Sequence, residues 1–153
     1  MRAAGSAQRA AIYVSASNWA PLTRPAIPLS EQSRRCRDAI AADPSLKREA
    51  TYRNRYENGE AGDFWRLIDD AINRRFDCLV ICGGNRFGAT ERAAFFHIGR
   101  FLVPAGFRVI DVAEGWDTAK DGGKKYAFHL RVMSRMEKNE ERRASDGAQE
   151  QED

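Results

Sequence analysis

Cys78-Leu79-Val80-Ile81-Cys82 is an unbroken apolar run closed by Gly83-Gly84. Such a run has no polar face, so it predicts a central strand buried on both sides, which needs a layer of structure above and below it. The flanking sequence supplies those layers. Phe64, Leu67, Ile68, Ala71 and Ile72 keep the i, i+3, i+4, i+7, i+8 spacing of an amphipathic helix over residues 63–74. Thr90 is placed to cap a further helix reaching about Val103, and Pro104-Ala105-Gly106 then breaks the chain before a strand over 107–112.

Upstream, Ile12, Val14 and Ala16 alternate with Tyr13, Ser15 and Ser17, as in a short strand over 11–17. A proline-punctuated loop follows. Ser30 then reads as the N-cap of a helix whose apolar stripe is Cys36, Ala39 and Ile40, stopping before Asp43-Pro44. The charged stretch 50–56 suits an edge strand, where charged side chains are tolerated. The resulting order, β-α-β-α-β-α-β, predicts an α/β three-layer sandwich with a mostly parallel sheet. Its ligands would sit at the carboxyl ends of the strands, here 15–18, 83–88 and 113–118.

With 153 residues and 42% apolar content the chain has the size of one domain. The expected organisation is a domain over 10–124, a long helix of the same domain over 125–144, and a disordered acidic tail over 145–153. Asp146, Glu150, Glu152 and Asp153 account for four of the 22 acidic residues, which leaves 18 against 25 basic ones in the body. This basic bias is compatible with a polyanionic partner. No apolar run reaches the roughly 18–20 residues of a membrane span, and residues 1–9 lack a secretory signal, so a cytoplasmic protein without membrane contact is expected. Cys78 and Cys82 would lie about 13 Å apart in a strand, outside the roughly 7 Å limit of a disulfide. With Cys36 they read as buried thiols. His97 and His129 add no metal-ligand spacing, so neither a metal nor a cofactor is expected.

In the last helix, Tyr126, Phe128, Leu130, Val132, Met133 and Met136 cover an arc of about 200°, twice what one domain face needs. A homodimer through this helix is the expectation. Arg131, Arg135, Lys138 and Arg142 form a basic stripe on its opposite side, suited to weak, sequence-independent contact with DNA phosphates, although a solvated charged face is the commoner use of such a stripe.

Tyr13-Val14-Ser15-Ala16-Ser17, Leu29-Ser30-Glu31-Gln32-Ser33-Arg34-Arg35-Cys36 and Asn85-Arg86-Phe87-Gly88-Ala89 resemble, in order and spacing, three motifs of the serine recombinase catalytic domain. That domain belongs to the resolvase/invertase family, whose motifs read Y-x-R-V-S, S-L-x-x-Q-x-x-x-C and D-R-L-S-R. The segments 64–71, 76–77 and 114–118 are also similar. The resemblance implies a resolvase-like fold and DNA site-specific recombination, with strand exchange through a phosphoserine intermediate. It places Ser17 on the nucleophile, Arg86 on a phosphate-holding arginine and Gln32 on a glutamine near the active site. Ser15, Asn85 and Ala89 depart from it, standing where the family has arginine, aspartate and arginine. Arg24 and Arg55 are adjacent cations able to compensate. A degenerate site implies weakened or absent cleavage, and the alternative role is a catalytically dead dimerisation or regulatory partner, for itself or for another recombinase subunit. A flavodoxin-like nucleotide binder would have only Gly83-Gly84 to recommend it. A phospho-receiver domain would need acidic metal ligands where the first strand ends in Ser17 and Asn18.

Overall fold

The computed structural model describes residues 6–16, 27–54, 63–84, 87–121 and 123–126, together with 131, 132, 135, 138, 139, 142, 143, 145 and 146. Five strands form one sheet: β1 (Gln8–Ser15), β2 (Leu46–Asn54), β3 (Cys78–Ile81), β4 (Arg108–Asp111) and β5 (Trp116–Asp117), in the order β2-β1-β3-β4-β5. All neighbours are parallel except β4 and β5. The α/β three-layer arrangement expected from the sequence is therefore present. Helix α1 (Leu29–Ala41) covers one face, where Cys36 and Ile40 pack with Ile12, Val14 and Val80. On the other face α2 (Phe64–Ile72) and α3 (Ala89–His97) set Phe64, Leu67, Ala71 and Phe95 around Tyr13, Leu79 and Ile81.

Chain connections leave β1 in one direction to β2 and return past it to β3. The order therefore reverses between β1 and β3, and their carboxyl ends flank the crevice where open α/β sheets bind ligands. Ser17 and Arg86 follow those two strands in sequence.

Several local expectations change. The edge strand begins at Leu46, earlier than expected, because an edge position tolerates Lys47, Arg48 and Glu49. Helix α1 starts at Leu29 after Pro28, with no side-chain cap, so Ser30 is not the N-cap; proline suits a helix start because the first amides have no intrahelical partner. Thr90 is not a cap either. Gly88 takes that place, and the Glu91 carboxylate reaches back to accept its N–H at 3.2 Å. Helix α3 then widens into a π-helical segment, Ile98–Leu102, closed by the Val103 N–H on the Ile98 carbonyl. After β4 the chain forms antiparallel β5 and the short helix α4 (Thr118–Asp121).

At the amino end of the sheet Arg108 is 8% exposed. It holds Asp117 with two bonds, at 2.9 and 2.6 Å, Asp43 at 3.0 Å, and Gln8 and Ser45 at 3.2 Å each. Arg9 similarly binds Asp77 and the Arg74 carbonyl. No helix among the described residues is long and apolar enough to cross a membrane.

Candidate active site

The final turn of β1 is held by Gln32. Its Oε1 accepts the Ser15 N–H at 3.0 Å, and its Nε2 donates to the Ser15 carbonyl at 3.0 Å and the Ile27 carbonyl at 2.7 Å. Gln32 is fully buried and all three bonds go to backbone. It therefore fixes the strand end just before Ser17 and the segment entering α1.

On the opposite side of β1, Tyr13 donates its hydroxyl to the Glu91 carboxylate, and Asn54 donates to the Tyr13 oxygen at 3.3 Å. Ser15 adjoins the same hydroxyl. Tyr13, Ser15, Asn54 and Glu91 are all fully buried. Burial first, and then the Glu91 charge, push the Tyr13 hydroxyl well above its ordinary range, so it acts as a proton-retaining donor.

Asp111, at the carboxyl end of β4, is also fully buried. It accepts backbone N–H groups from Gly83 (2.9 Å), Gly84 (2.8 Å), Ala113 (3.1 Å) and Glu114 (3.2 Å). These bonds tie the turn after β3 to β4. A Cβ at Gly84 would come within 2.8 Å of Ile81 Cδ1, so glycine is required for this close approach. Burial raises the Asp111 carboxyl above its usual range, opposed by the N–H groups of Gly83, Gly84 and Glu114.

The three cysteines are free and buried. Desolvation lifts the Cys36 and Cys82 thiols and pushes Cys78 up to about 12, which makes all three poor nucleophiles. Among the described residues no group of three His, Cys, Asp or Glu side chains is arranged to hold a metal.

Of the residues singled out by sequence, Ser17, Arg86, Asn85, Arg24 and Arg55 lie outside the described residues, as do Phe128, Leu130, Met133 and Met136. Arg131, Arg135, Lys138 and Arg142 have helical backbone and are exposed. Tyr126 is buried, packs against Trp116 with tilted rings whose centroids lie 4.6 Å apart and donates to the Phe95 carbonyl at 2.7 Å, while Val132 is 40% exposed.

The chain aligns with the N-terminal catalytic domain of TP901-1 integrase at a TM-score of 0.63 and 21% identity, covering 86% of this chain and 98% of that one. It aligns with a resolvase family site-specific recombinase from Streptococcus pneumoniae at a TM-score of 0.67 and 18% identity, covering 95% and 97%. The fold is resolvase-like. No protein-family model matches the sequence, and no curated protein does.

Within this resolvase-like frame the position expected to carry the arginine of Y-x-R-V-S holds Ser15, enclosed by Tyr13, Asn54 and Glu91. Among the described residues the buried basic side chains are Arg92 and Arg108. Arg108 is engaged at the amino end, whereas Arg92 belongs to the first turn of α3, the helix that follows β3. Sequence reading missed Tyr13–Glu91, 78 positions apart, and Asp111, two of whose partners lie 27 and 28 positions away. Their one sequence signal is polarity inside otherwise apolar elements.

Proposed function

We propose that this is a serine recombinase-like protein of DNA site-specific recombination whose own strand exchange, through a phosphoserine at Ser17, is weakened or lost. The observation that carries the reading is the enclosed cluster of Tyr13, Ser15, Asn54 and Glu91 at the end of β1. Phosphoryl transfer needs preorganised cations around the phosphate, and losing one such donor costs roughly 2.7–4 kcal/mol of transition-state stabilisation. Here the position that would supply a guanidinium supplies a small hydroxyl, and a buried carboxylate stands behind it. Arg86 is the motif arginine left to hold a phosphate, Arg24 and Arg55 are the adjacent cations able to support it, and Gln32 positions the strand that leads to Ser17.

DNA is the proposed partner, bound weakly and without base readout through Arg131, Arg135, Lys138 and Arg142. The half-exposed Val132 favours the second reading, a homodimer or a pairing with an active recombinase subunit through the last helix. Sedimentation separates the two roles. A dimer at tens of micromolar that is split by Val132→Glu without unfolding supports the partner role, and a monomeric wild type contradicts it.

A further inference from the structure

A cavity of about 360 Å³ opens on the α1 face of the sheet, lined by Val14, Leu29, Ser30, Ser33, Arg37 and Arg53. Val14 and Arg53 are register partners on β1 and β2, and both face α1, away from the Tyr13 cluster. Among the described residues, the lining contains two guanidiniums and no carboxylate. Neither Arg37 nor Arg53 has a side-chain hydrogen bond or ion pair with any described residue, whereas the neighbouring Arg34 and Arg35 are paired with Asp38 and Glu31.

Two further features point at a ligand. Helix α1 spans 13 residues and begins with no side-chain cap, and Leu29 and Ser30 of its first turn line the cavity. Ser33 is 8% exposed and lines the same cavity, yet its hydroxyl has no hydrogen-bond partner among the described residues. A hydroxyl on the wall of an open cavity, with no partner among the described residues, is free to donate to an acceptor from outside.

We propose that this cavity binds a phosphate-type oxyanion, clasped by Arg37 and Arg53 and received by the Ser33 hydroxyl and the first amides of α1. The tetrahedral group suits this set because several oxygens can be met at once by planar guanidiniums and by helix N–H groups. It arrives either as a small phosphate ester or as a backbone phosphate of a nucleic acid. The proposal is independent of the recombinase reading, since the cavity lies on the other side of β1 from the residues that carry that reading.

An NMR titration of the isotope-labelled protein with inorganic phosphate at low salt tests it. Saturable shifts are expected at the amides of Leu29, Ser30 and Ser33 and at the Arg37 and Arg53 side chains. Arg37→Gln and Arg53→Gln should each weaken binding by about tenfold, the value of one charge-assisted bond. Ser33→Ala should weaken it less, and the control Arg48→Gln, an exposed residue outside the cavity, should leave it unchanged. All four residues tolerate these changes without loss of core packing, and unaltered amide spectra away from the cavity confirm the fold. A second titration with a short DNA duplex identifies the source. Shifts of the same amides, competed by phosphate, mark a backbone phosphate, and phosphate binding without duplex binding marks a small ester. Absence of saturable shifts with either probe, or shifts indifferent to Arg37→Gln and Arg53→Gln, overturns the proposal.

Discussion

The two ends of the sheet solve the problem of buried polarity in opposite ways. At the amino end each buried charge has a counter-charge, with Arg108 between Asp117 and Asp43 and Arg9 on Asp77. At the carboxyl end Glu91 receives a phenol and a backbone N–H, and Asp111 receives four backbone N–H groups. The first end is closed and serves stability. At the second, the donors described for Glu91 and Asp111 are a phenol and backbone N–H groups, in the crevice where a phosphate would need cations. That difference separates the resolvase-like fold, which this chain keeps, from the resolvase-like chemistry, which we propose it has largely given up.

The largest effect is expected at the closed end. Arg108→Met leaves Asp117, itself 8% exposed, without its cation, and removing one partner of a buried pair costs about 3–5 kcal/mol. Chemical denaturation measures this directly. At the open end Asp111→Asn should cost less, about 1–3 kcal/mol, because it turns one acceptor into a donor facing the Gly83 or Gly84 N–H. Gln32→Leu belongs to the same class, freeing the Ser15 N–H and carbonyl. A cost at Asp111 equal to that at Arg108 would break the comparison.

Acid should act on the two ends with opposite sign. Burial pushes the Asp117 carboxyl up, but its bonds to Arg108 and to the Ala119 N–H overcome this and hold it below the usual range. The Ser45 hydroxyl and N–H, and then Arg108, hold Asp43 low. Their contribution is present above the unfolded carboxylate pKa of about 3.9 and is lost as pH falls through the lowered folded values. Asp111 is raised by burial, so its contribution is present below the unfolded value and lost as pH rises through the raised folded one. Denaturation as a function of pH should show Asp111→Asn abolishing that second loss while keeping the acid loss, and Arg108→Met reducing the acid loss, chiefly its Asp117 part, while keeping the second. A matching change in both variants would contradict the assignment of the two ends.

How much of this was legible in sequence depends on how far the signal is local. The unbroken run at Cys78 and the helical spacing from Phe64 carry their burial in their own periodicity, so strand, helix and layer order could be read directly. β5 has two residues and no period, and its place depends on Asp117 meeting Arg108 and on the Thr118 hydroxyl accepting the Val109 N–H at 2.9 Å. The resemblance singled out Gln32, while its bonds to Ser15 became visible only when α1 was packed on β1. It also marked Ser15 as the site of a missing arginine. The enclosure of Ser15 adds that Ser15→Arg would overpack a buried site and place a new cation against Glu91, so simple restoration of the motif should destabilise the fold.

A smaller effect is expected in DNA affinity. Neutralising up to four phosphates with Arg131, Arg135, Lys138 and Arg142 gives a log–log salt slope of at most about −3.6, and replacing all four with Gln should abolish binding. Tight, sequence-specific binding would place the nucleic-acid surface elsewhere.

The most direct test of the proposed loss of chemistry is covalent trapping on a nicked or suicide DNA substrate, comparing the wild type with Ser17→Ala. The expected result is little or no protein–DNA adduct from either. A stable adduct formed by the wild type and absent from Ser17→Ala would show that Arg86, Arg92 or other arginines complete the site, and would contradict the loss of strand exchange proposed for the open end.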